Sequence, residues 1–256
     1  DTDGAGACFA DLTYSFYEVF AAFFGIPKTV VPLRADFTFD LERMEQTPCA
    51  GYYIANPNAP TGVGIGLAEM ERFVASVPEK LVILDEAYMD FFGESGVPLT
   101  KKYSNVLVVK TFSKSYALAG MRCGYAVGDA ALIDGLFRMK DCFNSYPVDR
   151  VAEAVCAAAV GDRDYYRAVT ARVVSERERL RAELLSLGFT VPESRSNFLF
   201  AGRVRLSGRE IYQGLKAAGV LVRYWDRPVL RDFVRITVGT PEENGVLTEQ
   251  LKKLLS

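Results

Sequence analysis

Lys114 has the richest chemistry within reach of any residue in this sequence. It stands between Ser113 and Ser115 in the stretch Lys110-Thr111-Phe112-Ser113-Lys114-Ser115-Tyr116-Ala117-Leu118-Ala119-Gly120-Met121-Arg122. A lysine amine condenses with an aldehyde to a Schiff base, and hydroxyls beside a guanidinium hold a phosphate. The grouping therefore suits an aldehyde that carries a phosphate. A solvated surface lysine is the other reading of the segment taken alone.

Three further groupings offer chemistry. Asp85-Glu86-Ala87-Tyr88 closes an apolar run. Such an acidic pair can be the magnesium site of a P-loop ATPase, but that needs an upstream G-x-x-x-x-G-K-[ST], which this sequence lacks. A carboxylate buried at a strand end needs a cationic partner, and a protonated pyridine nitrogen is one. Asn56-Pro57-Asn58-Ala59-Pro60-Thr61-Gly62 is a rigid turn. It is either a tight loop and nothing more, or a set of amides aimed at a ligand. Gly62, Gly64 and Gly66 alternate without the later glycine spacing of a nucleotide loop. Arg223 and Arg235 each read as a solvent-facing arginine or as a fork for a substrate anion. The chain has no histidine, which removes Ser-His-Asp and Cys-His catalysis and histidine-rich metal sites. Acid–base work falls to lysine, carboxylate, tyrosine or a cofactor.

These groups need elements to position them. Val106-Leu107-Val108-Val109 reads as a buried parallel strand that delivers Lys114, with a helix-like segment after it. Leu81–Leu84 delivers Asp85, and Tyr52–Ala55 delivers Asn56. Ligands of open α/β sheets gather at the carboxyl ends of strands. Ala7–Ala10 and Val30–Leu33 read as two more short strands, after an opening loop over residues 1–6. Helices are predicted over Ser15–Phe24, Leu41–Gln46, Leu67–Val77, Ala130–Lys140 and Val151–Val160. Gly25 caps the first and Asp40 the second. From Asp164 to Leu187 the positions Tyr166, Val169, Val173, Leu180, Leu184 and Leu187 recur at helical steps, giving a long amphipathic helix. The last stretch reads as a smaller α+β unit. Its strands are Asn197–Phe200, Gly219–Tyr224 and Phe233–Val238. One of its helices spans Gly208–Ala218 and another starts at Pro241. Arg235 sits mid-strand on the face shared by Phe233 and Thr237.

The chain of 256 residues, 50% hydrophobic with a net charge of -2, is long enough for one large domain or two smaller ones. That charge argues against nucleic acid or an anionic membrane as the main partner. Cys8, Cys49, Cys123, Cys142 and Cys156 are scattered with no C-x-x-C pair and read as the reduced thiols of a cytoplasmic protein. No apolar run approaches the roughly 18 residues of a membrane helix, and no signal peptide is visible.

The ordered set Tyr14, Asn56–Gly62, Asp85–Tyr88, Ser113-Lys114 and Arg122 resembles the fold-type I pyridoxal-phosphate aminotransferases. Thr111–Gly124, Phe143-Asn144-Ser145-Tyr146-Pro147 and Val234–Gly239 look like the histidinol-phosphate aminotransferase family within them. The resemblance runs from about Asp11 to the end. It implies an α/β fold: a mostly parallel sheet flanked by helices in a large domain, here residues 1–149, and a connecting helix with a small C-terminal α+β domain, residues 150–256. It also implies roles. Lys114 forms the Schiff base with pyridoxal 5'-phosphate and shuttles a proton between Cα and C4′. Asp85 pairs with the pyridine nitrogen. Tyr88 hydrogen-bonds the ring's phenolic oxygen and Tyr14 stacks on the ring. Ser113 and Arg122 hold the phosphate, with Thr111 beside them. Arg235 is the carboxylate fork, Arg223 the contact to a substrate phosphate, and Asn197 lies near both.

The implied reaction is transamination of L-histidinol phosphate with 2-oxoglutarate in histidine biosynthesis, by a homodimer. Rival readings are a decarboxylase of threonine phosphate, an aromatic aminotransferase, and an inactive truncated homologue. The chain departs from the family's pattern in three places. Ala59 stands where many relatives have an asparagine that donates to the phenolic oxygen, which leaves that contact to Tyr88 or Asn58. Leu12 stands where relatives have proline. Roughly the first quarter to third of such an enzyme is expected to be absent, and with it an N-terminal arm, a glycine-rich phosphate loop and a tyrosine that reaches the partner's site.

Overall fold

The computed structural model describes residues 6–255, so the expected opening loop lies almost wholly outside the described residues. The first half forms a six-stranded sheet ordered β2-β1-β3-β4-β5-β6. Its strands are β1 (Ala7–Ala10), β2 (Lys28–Val31), β3 (Gly51–Ala55), β4 (Leu81–Asp85), β5 (Val106–Thr111) and β6 (Gly124–Gly128). β1 to β5 run parallel and β6 antiparallel to β5. Helices α1 (Phe16–Phe23), α2 (Leu41–Glu45) and α3 (Leu67–Ser76) connect the early strands.

One face of this sheet makes the core. Tyr52, Ile54, Val82, Leu84, Val106 and Val108 pack there with Met44, Met70, Phe73 and Val74. Each such apolar side chain contributes about 1.5–3 kcal/mol by leaving water. The alternate residues of β4, Leu81 and Ile83, are only half-buried. The apolar run thus covers one face fully, not both. Asp40 caps α2 by accepting from the Arg43 amide. Gly25, at φ +63, follows α1 in the left-handed region that glycine enters freely.

The predicted helix-like segment after Lys114 is a correction. The chain makes a turn with Ala117 at φ 55, a single 3-10 turn over Ala119–Met121, and Arg122 at φ 53. It then returns as β6, a strand not read from the sequence. The return is tight: a Cβ on Gly124 would stand 2.6 Å from the Lys110 carbonyl oxygen.

Helices α4 (Ala130–Phe143), α5 (Arg150–Gly161) and α6 (Arg163–Ser186) lead to a three-stranded antiparallel sheet, β7-β9-β8. Its strands are β7 (Phe198–Gly202), β8 (Arg223–Tyr224) and β9 (Phe233–Thr237), with α7 (Gly208–Ala217) and α8 (Pro241–Leu255). The long helix α6 buries Leu180 and Leu184, as its pattern required, but also Arg177. Arg177 Nη1 donates to the Phe91 carbonyl at 3.1 Å and the Ser196 carbonyl at 3.0 Å, so one guanidinium ties the large sheet's turn to the second unit. The predicted strand over Gly219–Tyr224 is shorter. Gly219 takes φ +80, and the Val220 amide closes back on the Leu215 carbonyl, so the chain is still capping α7 there.

Candidate active site

The parallel register puts the carboxyl ends of β3, β4 and β5 on one edge. Ala55 is level with Asp85, Asp85 with Val109, and Thr111 lies one pleat further on. Backbone bonds continue past the strands: the Asn56 amide donates to the Asp85 carbonyl and the Glu86 amide to the Val109 carbonyl. The Asn-Pro turn, the acidic pair and Lys114 therefore meet at one sheet edge.

The two adjacent carboxylates have opposite fates. Glu86 points into the protein, 2% exposed, with Lys110 Nζ at 3.2 Å and the Ser95 hydroxyl donating at 2.6 Å. Lys110 also pairs with Asp90 at 3.1 Å, and Ser115 donates to Asp90 in turn. Burial pulls the Lys110 pKa down, but Asp90 and Glu86 outweigh it and the net direction is up. Asp85 has no cation among the described residues. It accepts from the Tyr17 phenol at 2.7 Å and from the Ala87 amide at 3.1 Å. Burial, then Asp85 itself, holds the Tyr17 pKa well above the ordinary tyrosine value. Tyr17 thus stays a neutral donor, and Asp85 is left to an external cation.

Lys114 is exposed, its carbonyl accepts from the Ala117 amide, and its Nζ lies 5.3 Å from the centroid of the Tyr88 ring. Tyr88 meets Phe198 edge-on at 5.1 Å, and Arg235 lies over Phe198 at 4.8 Å. The Thr111 hydroxyl donates to Ser113 Oγ at 2.9 Å and accepts from the Ser113 amide at 3.1 Å. Arg122 is exposed on the same loop, with Nη1 on the Ala119 carbonyl at 2.8 Å. Tyr14 is 49% exposed and packs edge-on against Tyr17 at 5.6 Å.

Asn58 has a different environment from the one expected of a ligand contact. It is fully buried, and both its N–H groups are used inside the protein, on the Leu12 carbonyl at 2.8 Å and Thr61 Oγ1 at 3.0 Å. Its oxygen accepts from Thr13 Oγ1. Its side chain therefore anchors the loop that carries Tyr14. Asn56 likewise closes on both backbone groups of Ile65.

A cleft of about 480 Å³ opens beside this edge, lined among others by Tyr14, Ala59, Arg223, Trp225, Arg227 and Arg235. Asn197 does not line it, and stands opposite Val238, whose amide donates to its carbonyl. Tyr17, Lys110, Trp225 and Arg227 were not singled out in the sequence. Tyr17 sits in the first turn of α1 and Tyr14 lies before that helix, so no periodicity links the two. Lys110 heads the polar stretch after the predicted strand Val106–Val109 with nothing to mark it as buried, and Trp225 and Arg227 sit in a turn without periodicity.

The sequence matches the model of aminotransferase class I and II over residues 2–251. The chain belongs to the class I and II aminotransferases. It is 44% identical over 253 residues to a histidinol-phosphate aminotransferase of Marinomonas sp., covering 98% of this chain and 72% of that protein. The fold agrees with the crystal structure of histidinol-phosphate aminotransferase from Sinorhizobium meliloti in complex with pyridoxal-5'-phosphate. That match has a TM-score of 0.87 at 25% identity, over 98% of this chain and 71% of that one. The enzyme of the same name from Clostridium acetobutylicum matches with a TM-score of 0.91 at 24% identity, over 97% of this chain and 77% of that one, and speaks to the fold. The mostly parallel sheet with a small antiparallel sheet is thus the architecture of this aminotransferase fold.

The donor set fits pyridoxal phosphate. Among the described residues, an amine free of any ion pair, a carboxylate free of any cation, and hydroxyls on the same loop as an arginine stand on one sheet edge. These are the partners that an aldehyde, a pyridine nitrogen and a phosphate require.

Proposed function

We propose that this aminotransferase moves the amino group of L-histidinol phosphate to 2-oxoglutarate, with pyridoxal 5'-phosphate held through Lys114. The observation that carries the reading is the split between Glu86 and Asp85. The protein compensates Glu86 from within through Lys110 and leaves Asp85 with a neutral phenol and an amide. When bound, pyridoxal phosphate supplies an electron sink for the electrons of a carbon next to nitrogen.

The chain's own residues do the rest. The Lys114 amine anchors the aldehyde, then takes a proton at Nζ from one carbon and returns it to another. Its exposure leaves Nζ free to move between those positions. Asp85 holds a proton on the pyridine nitrogen, and Tyr17 fixes the carboxylate that does so. Thr111, Ser113 and Arg122 bind the phosphate. Tyr88 lies beside Lys114 and donates to the ring oxygen, the contact that Ala59 cannot make. Tyr14 covers the ring. Arg235 and Arg223 bind the substrate's anionic groups.

The reading includes a homodimer in the cytoplasm, and a division into a cofactor-binding part, residues 1–149, and a connecting helix with small domain, residues 150–256. Two separate apolar cores support that division. All five cysteines are unpaired thiols, and among the described residues no helix is long and apolar enough to cross a membrane. Sedimentation tests the dimer.

The test of the reaction is a visible absorption titration. Pyridoxal phosphate should produce a Schiff-base band, L-histidinol phosphate should remove it, and 2-oxoglutarate should restore it. A decarboxylase would release carbon dioxide and would not respond to the oxo acid. Absence of any band sinks the reading for this chain. Asp85→Asn should keep the band while turnover falls by about 10²–10⁴-fold, the range for losing a group that controls proton transfer. Near-normal turnover would contradict its role.

A further inference from the structure

Arg223 and Arg235 are direct cross-strand partners in the β8–β9 ladder. Like charges placed directly opposite on one sheet face repel. Among the described residues neither guanidinium forms an ion pair or hydrogen bond, and Arg235 Nε is buried without a partner. The acidic groups nearby are engaged elsewhere. Asp226 pairs with Arg209 and accepts from the Tyr224 phenol. Asp11 Oδ1 accepts from the Leu12 and Leu33 amides. What the pair does meet is Trp225, whose ring centroid lies 5.3 Å from the Arg223 guanidinium carbon and 5.4 Å from that of Arg235. An indole is the strongest aromatic partner for a guanidinium.

We infer that Trp225 is a positioning residue: its indole holds Arg223 and Arg235 together as one anion-binding pair that serves the phosphate or carboxylate groups of both substrates in turn. This rests on the reading of the 480 Å³ cleft as the substrate pocket. A transaminase must admit two different substrates to one site. An amine phosphate brings one dianionic group, and a 2-oxo dicarboxylic acid brings two single charges. Two guanidiniums fixed by one ring answer both, because the ring attracts each cation without neutralising it. A carboxylate in the ring's place would pair with the arginines and exclude the substrate.

Trp225 is the one tryptophan in the chain, so its fluorescence reports on this cleft alone. The experiment is a titration of the full chain with inorganic phosphate in a phosphate-free buffer, read by tryptophan fluorescence and in parallel by calorimetry. Wild type should give a saturable fluorescence change, retained in Arg122→Ala and lost in Arg223→Ala. Trp225→Leu should weaken calorimetric phosphate binding about tenfold, and Trp225→Phe about threefold, because phenylalanine keeps a weaker π face. Turnover should follow the same order as a rise in KM for both substrates with kcat held. Circular dichroism of Trp225→Leu checks the fold, and Trp225→Phe carries the comparison if that variant is unfolded. A fluorescence change lost in Arg122→Ala but kept in Arg223→Ala would put the ion at the other phosphate cup and overturn the inference. Equal phosphate affinity in wild type and both Trp225 variants would overturn it as well. None of these binding readouts needs turnover. Phosphate bound through Trp225 in a chain that leaves L-histidinol phosphate untouched would reject the proposed reaction and keep this inference.

Discussion

Lys114→Ala is expected to remove the covalent adduct with pyridoxal phosphate and to lower turnover by at least about 10⁴-fold, the upper range for one proton-transferring group. The proposed reaction gives that one amine two roles, covalent anchor and base that moves the substrate's proton. Among the described residues no second lysine can take over: Lys110, the nearest in sequence, is locked between Glu86 and Asp90 at 3.2 and 3.1 Å. The fold should survive, because the Lys114 side chain is exposed, with its Nζ 5.3 Å from the Tyr88 ring, and alanine keeps the backbone bond from the Ala117 amide. Borohydride reduction of the loaded protein followed by mass analysis separates the outcomes. Wild type should carry the reduced cofactor on the peptide with Lys114, and the variant should carry none. A stable adduct in Lys114→Ala would remove the residue from its role. Added methylamine should restore part of the proton transfer in the variant, since a free amine then stands in for the missing one.

The sheet edge was legible in the sequence because parallel strands announce themselves. Val82, Leu84, Val106 and Val108 are apolar without interruption, and the polar residues that end each run are the ones the topology brings together. The pattern could not say which carboxylate of Asp85-Glu86 faces the ligand. Successive residues leave a strand on opposite faces, and only the position of Lys110 settles which face holds the compensating charge. Strand β6 was missed because glycines bound a core of three residues, Tyr125, Ala126 and Val127, too short for a period to emerge. Asn58 shows the opposite limit. Its motif suggested a ligand contact, yet the fold closes its amide on Leu12, Thr13 and Thr61. Arg177 reads as one more charge on a helical surface, and the structure buries it because two backbone carbonyls converge there. Motif and periodicity select residues; hydrogen-bond closure decides which of them remain free to act.

That distinction gives Lys110 a large structural effect. Lys110→Met should destabilise the fold by about 3–5 kcal/mol, the cost of leaving a buried charge without its partner. Glu86 is the charge most affected, at 2% exposure. The double variant Lys110→Met with Glu86→Gln should recover part of the loss, because it removes the orphaned charge as well. Denaturant unfolding of wild type, both single variants and the double variant measures the coupling. Additive losses would mean that the two residues do not stabilise each other. The pH dependence carries a sign. Lys110 has its pKa raised above 10.5 in the folded state, because Asp90 and Glu86 outweigh burial. Its contribution is therefore fully present below pH 10.5 and is lost as the pH rises through the folded-state value. The stability gap between wild type and Lys110→Met should stay constant through neutral pH and shrink as Lys110 loses its charge in the alkaline range. Catalysis should fall with stability, since Lys110 links Glu86, the neighbour of Asp85, through Asp90 to Ser115, the neighbour of Lys114. One buried cation thus fixes the chain beside both Asp85 and Lys114, the two residues to which the proposed reaction gives its central roles.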